Sequence, residues 1–171
     1  TYKPTHNWTI SAGKQVLMIG GWEYDRSPID LYFCSEFWNN VSCYQLGASV
    51  AFTTNKGNDT ILFQACQSPY DTTSPSVDYA PGKYDKYIAL GNQFKFGDAT
   101  LQLDLMSRGP KAKDLLFDNF SIMGEFSYLI AKRVNVFAKA TYDKIGSSAV
   151  AASGLIPGTE ITRVGGGVEY Y

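Results

Sequence analysis

Every second residue of Phe117–Asp143 differs in class from its neighbours. Phe120, Ile122, Gly124, Phe126, Tyr128 and Ile130 fall on one side of an extended chain. Asn119, Ser121, Met123, Glu125 and Ser127 fall on the other. After a break at Ala131–Arg133 the alternation resumes, with Val134, Val136, Ala138, Ala140 and Tyr142 opposite Asn135, Phe137, Lys139, Thr141 and Asp143. A repeat of two is strand geometry, whereas a helix would scatter these aromatics around its circumference. The stretch predicts a β-hairpin of two strands of about ten residues each. Such strands exceed the usual five or six residues and approach what a tilted strand needs to cross a bilayer.

The same pattern predicts further strands at Thr9–Leu17, Val41–Thr54, Thr60–Gln67, Lys83–Phe94, Ala99–Ser107 and Ile161–Tyr171. In the fifth strand Leu101, Leu103 and Leu105 oppose Gln102, Asp104 and Met106. The fourth is less clear, because Tyr87, Ala89 and Gly91 compete with Ile88 and Leu90 for the apolar face. Three connections are short: NKGND at 55–59, KFGD at 95–98 and the break at 131–133. Asn, Gly and Asp tolerate the positive φ of hairpin turns. Four connections are longer: Met18–Asn40, Ser68–Gly82, Arg108–Leu115 and Lys144–Glu160. In an up-and-down meander all the short turns then lie at one rim and all the long loops at the other, an asymmetry that outer-membrane barrels have.

Alternation alone leaves open whether the apolar row meets a dry core or lipid. A soluble barrel points its apolar row inward and its charged row at water. Here the polar rows are rich in Gly, Ser, Thr, Asn and Gln, with few charges. Trp8, Tyr44, Phe52, Tyr128, Tyr142 and Tyr170 sit near strand ends, where an aromatic girdle would lie. Backbone amides must also be paired in hydrocarbon, which requires closure. The expected fold is therefore all-β, a transmembrane antiparallel meander barrel with eight strands in this single portion, 1–171. Eight strands closing alone would fill their own interior.

Composition fits this picture. Asp, Glu, Lys and Arg make up 18% of the chain, against about 25% in a typical soluble domain. Formal charge is −1 with mixed signs, which gives nucleic-acid binding no support. No apolar run of about eighteen residues marks a helical span. There is no initiator methionine or signal peptide, and VGGGVEYY breaks off inside a strand. A piece of a longer chain is expected, from a barrel of roughly sixteen strands.

Two stretches, ISAGKQVLMIGGWEYDRSPIDLYFCSEF followed by CYQLGASVAF, and the closing TRVGGGVEYY, resemble the outer-membrane porins of Gram-negative Bacteroidetes. Those porins are grouped with the phosphate-selective porins O and P. The resemblance implies a barrel of about sixteen strands, often a homotrimer, that passes small polar or ionic solutes by passive diffusion through the cell outer membrane. It also implies that a long loop narrows the lumen, with 18–40 the best match. That loop carries Glu23, Asp25, Asp30 and Glu36 against Arg26. A phosphate filter calls for Arg and Lys, so a general or cation-tolerant pore fits the charge better. If the lumen is the polar row, Asp104, Glu125, Lys139, Arg163 and Glu169 line it.

Other chemistry finds little footing in the residues. The single histidine, His6, lies outside the strands and removes the usual partner for a zinc site or a Cys–His pair. The cysteines Cys34, Cys43 and Cys66 match no metal pattern, and a Cys34–Cys43 disulfide or three free thiols both remain open. The three glycines 165–167 lack the Lys–Ser/Thr and following helix of a phosphate loop, and suit strand curvature or close approach. No catalytic residue, metal or cofactor is expected. The rival expectation is a non-conducting barrel that presents its outer loops to a partner. An outer-membrane hydrolase is the weakest of the three.

Overall fold

The computed structural model describes residues 1–16, 44–54, 56, 58–67, 86–109, 119–146 and 158–171. Alternation is honoured throughout them. The elements are β1 (Trp8–Val16), β2 (Tyr44–Thr53), β3 (Asp59–Gln67), β4 (Lys86–Phe96), β5 (Ala99–Gly109), β6 (Phe120–Ile130), β7 (Val134–Ile145) and β8 (Thr159–Tyr170). All eight join one sheet in the order of the chain, and every neighbouring pair is antiparallel.

The short turns β2–β3, β4–β5 and β6–β7 share one rim, and the connections 17–43, 68–85, 110–119 and 146–158 start and end at the other. The β6–β7 turn is tight. Arg133 N donates to Ile130 O across 3.0 Å, and Ala131 and Lys132 both take positive φ, at 49° and 60°. That is the type I′ geometry whose twist matches flanking strands, built here without glycine. Gly97, at φ 64°, supplies the same freedom between β4 and β5.

Closure does not occur. β1 and β8 stand at the two ends of the sheet and do not pair with each other. The expected transmembrane barrel is thereby corrected to an open eight-stranded antiparallel sheet. A meander sorts short and long connections to opposite rims whether or not its ends meet. The asymmetry that suggested a barrel therefore carries no information about closure. Closure depends on strand tilt and register stagger around the whole sheet, neither of which alternation encodes.

The sheet has an inverted cross-section. On one face Ile61, Phe63, Leu103, Leu105, Ile122 and Phe126 are exposed. On the other, Gln64, Gln102, Asp104, Glu125, Lys139 and Asp143 are buried, together with Tyr87, Met106, Met123 and Phe137. Register makes this consistent from strand to strand: Phe52 pairs Ile61, Phe63 pairs Leu90, Leu90 pairs Leu105 and Leu105 pairs Ile122. The ambiguous β4 resolves with Tyr87 and Ala89 on the buried polar face and Leu90 on the exposed apolar one.

Candidate functional site

Two surfaces compete for the role of functional site, and both follow from strand alternation. The first is the buried polar face. Lys139 of β7 lies directly opposite Glu125 of β6 and, on its other side, opposite Gly165 of β8. Glu125 in turn faces Gln102 of β5. Gln102 Nε2 donates to Asp104 Oδ2 at 2.7 Å, along the same strand face. Asp143, whose side chain is fully buried, accepts from Arg163 Nη1 at 3.0 Å. Asn135 Nδ2 and the Tyr171 hydroxyl both donate to Glu169 Oε2, at 3.0 and 2.9 Å. Ser107 Oγ donates to the Asn119 carbonyl, while Asn119 Oδ1 accepts from Gly146 N.

Such a face is stable only when its charges are compensated, since an isolated ion in a poorly hydrated interior loses far more solvation than it regains. Opposite charges accordingly meet between β6 and β8: Lys139 faces Glu125, and Asp143 holds Arg163. Burial pulls the Lys139 ammonium down to about 8 and pushes the Cys66 thiol up to about 12. Both shifts favour the neutral form, as desolvation requires. Cys66 is a buried free thiol.

Glycines make room for this packing. The Phe137 ring lies over Gly167, where an added Cβ would fall 2.8 Å from Cζ. A Cβ on Gly47 would collide with the Ala65 carbonyl oxygen.

The second surface is the exposed apolar face. Trp8 and Phe52 pack with ring centroids 5.0 Å apart, and with Val50, Ile61 and Phe63 they line a shallow depression of about 280 Å³. Phe120 and Tyr142 pair similarly at 5.9 Å. Gly124, Ala138 and Ala140 floor a second depression of about 260 Å³ beside Leu101, Phe126 and Val164. Soluble monomers rarely expose contiguous apolar area of this kind.

The residues singled out from sequence distribute between these surfaces. Asp104, Glu125, Lys139, Arg163 and Glu169 share the polar face, the first three buried and the last two half-buried. Trp8, Phe52, Tyr128, Tyr142 and Tyr170 all belong to the apolar face. Trp8, Phe52, Tyr128 and Tyr170 stand near the short-turn rim, and Tyr142 near the other. The Tyr44 side chain lies outside the described residues, as do Glu23, Asp25, Arg26, Asp30 and Glu36 of the expected constriction loop, and Cys34 and Cys43. Sequence reading missed Asp143, whose ion pair with Arg163 was legible only as two residues in polar rows. Among the described residues no group of three or more His, Cys, Asp and Glu side chains could hold a metal ion, and no helix is long and apolar enough to cross a membrane.

No known family, curated protein or solved structure matches the chain. The resemblance to Bacteroidetes porins is corrected accordingly. Its central implication, a closed channel-forming barrel, is contradicted by the open sheet. The porin, β-barrel and diffusion-channel readings fall with it, and so does the rival non-conducting barrel.

Proposed function

We propose that this chain is a membrane-associated sheet protein that seats on lipid through its apolar face. One observation carries the reading: the face rich in Leu, Ile, Val and Phe is exposed, while Lys139 and Asp104 are buried at 2% and 3%. A water-soluble sheet has the opposite polarity, because transfer of apolar surface out of water favours its burial by roughly 25 cal/mol per Å². Hydrocarbon is the surrounding in which this arrangement loses nothing.

The open edges set how the sheet meets lipid. Amides left unpaired in hydrocarbon lose several kcal/mol each. The sheet therefore rests its face on one leaflet, with the edges of β1 and β8 at headgroup level, and does not cross the bilayer. The outer membrane is the proposed location, since β structure meets lipid there. Lipid is the proposed partner, and the reading assigns the chain no chemical step. The sheet acts as a platform that gathers the four long connections at one rim.

Vesicle flotation tests the reading. The folded chain is expected to rise with lipid vesicles and to stay bound in high salt. Recovery of a folded, dispersed chain in the vesicle-free fractions would overturn it and favour a protein partner on the apolar face.

A further inference from the structure

The three tight turns gather positive charge at the rim opposite the long connections. Lys56 lies in the β2–β3 turn, Lys95 at the end of β4, and Lys132 and Arg133 in the β6–β7 turn. All four are exposed, and none takes part in an ion pair among the described residues. Asp98 is the one exposed acid at these turns among the described residues, while Asp59 and Glu169 nearby are half-buried. Glu169 is already engaged by Asn135 and Tyr171.

These cations stand beside exposed members of the apolar face. Phe96 directly follows Lys95, and Tyr128 and Ile130 lead into Ala131–Arg133. Lysine and arginine lay their apolar stems along such surface and keep their charged heads in water. Aromatic rings with cations just beyond them match the polar interface of a membrane. The rim of the long connections is different. There Lys144 faces Glu160 directly across β7 and β8, and Lys14 and Lys86 both already interact with other groups of the chain.

We propose that the tight-turn rim docks on anionic phospholipid headgroups, whose phosphate oxygens accept hydrogen bonds from Lys56, Lys95, Lys132 and Arg133. Successive turns are two strands apart, about 10 Å at the usual interstrand spacing. A single phosphate cannot bridge them, whereas a surface of many headgroups meets each turn separately. The negative potential of such a surface falls off within a Debye length, so it acts on exposed cations at this rim and little on charges farther away. The whole chain has a formal charge of −1, so the attraction comes from where the charges stand and not from their sum. The inference rests on the lipid-seating reading and adds to it a preference for lipid charge.

Partitioning of the unaltered chain between two kinds of vesicle tests the proposal without any substitution. One kind is phosphatidylcholine alone, and the other contains an equal share of phosphatidylglycerol. Each net positive charge near an anionic surface strengthens binding about fivefold, so four cations less Asp98 give a preference of about a hundredfold at low salt. Added salt is expected to reduce that preference and to leave binding to phosphatidylcholine in place. In Lys56→Gln/Lys132→Gln/Arg133→Gln the preference is expected to fall below about fivefold, with strand content by circular dichroism and binding to phosphatidylcholine unchanged. Lys14→Gln/Lys86→Gln/Lys144→Gln removes the same charge from the other rim and is expected to keep a preference of at least about tenfold. Equal partitioning of the unaltered chain into both vesicles would overturn the proposal and leave lipid seating intact, whereas binding to neither would overturn both. Equal loss of the preference in the two triple variants would also overturn it. So would its loss to inorganic phosphate at an ionic strength where chloride leaves it in place.

Discussion

Lys139 and Glu125 face each other across β7 and β6 with only 2% and 5% of their surfaces exposed. The pair sits at the middle of a face that strand alternation made polar and packing made dry. Removing one of two facing buried charges leaves the other less compensated, a loss that reaches about 3–5 kcal/mol where the two form an ion pair. Replacing both with apolar side chains of similar volume removes the desolvation as well. Chemical denaturation is expected to show Lys139→Met destabilised by about 3 kcal/mol, and the double variant Lys139→Met/Glu125→Leu restored to within about 1 kcal/mol of the parent.

Burial of Lys139 also sets a pH dependence. Its folded value of about 8 lies below the ordinary 10.5. Between those values the unfolded chain binds more protons than the folded one, so stability rises as pH increases from about 8 toward 10.5. Cys66 acts in the other direction above its ordinary 9.0, because the fold holds its thiol protonated up to about 12. Denaturation midpoints measured from pH 7 to 9.5 in a Cys66→Ser background are expected to climb. The climb should vanish in Lys139→Met.

Most of the strand structure was legible, because alternation is local and hard to mimic. The hairpin within 117–143 is present, and Asp104, Glu125, Lys139, Arg163 and Glu169 share one polar face, but the open sheet encloses no lumen for them to line. Boundaries moved by two residues: β8 begins at Thr159, before the expected Ile161, and β4 runs to Phe96, past the expected Phe94. Closure was not legible. Whether β8 meets β1 depends on tilt and stagger summed over eight strands, and no pair of neighbours carries that sum. The Asp143–Arg163 ion pair was also hidden, since Arg163 faces Thr141 directly and reaches Asp143 on the diagonal.

Glycine positions offer a sharp contrast within one sheet. An added Cβ at Gly47 meets the backbone of Ala65 and Cys66, which cannot yield as a flexible side chain does. At Gly124 the nearest neighbour is Leu103 Cδ2 at 3.5 Å, an ordinary contact. Gly47→Ala is expected to destabilise the fold by about 1–3 kcal/mol. Gly124→Ala is expected to stabilise it by about 0.5 kcal/mol, through the lower freedom of the unfolded chain. Thermal and denaturant midpoints check both.

Charge placed on the apolar face separates folding from lipid binding. Phe63 and Leu103 are 46% and 44% exposed, so Phe63→Asp and Leu103→Asp remove little packing from the sheet itself. Each forfeits the burial of a large apolar side chain in lipid, about 1.5–3 kcal/mol, and adds a charge at the interface. Vesicle partitioning is expected to fall at least tenfold for each variant, while circular dichroism of the variants in micelles stays that of the parent.

Tryptophan fluorescence in brominated lipid reports whether the apolar face lies against acyl chains. Leu103→Trp is introduced with Trp8, Trp22 and Trp38 replaced by phenylalanine, so that the only indole stands at the centre of the exposed apolar face. In vesicles whose acyl chains carry bromine near the headgroup end, its emission is expected to be blue-shifted and strongly quenched. Emission that stays red-shifted and unquenched in the folded protein would mean that the apolar face does not seat on lipid.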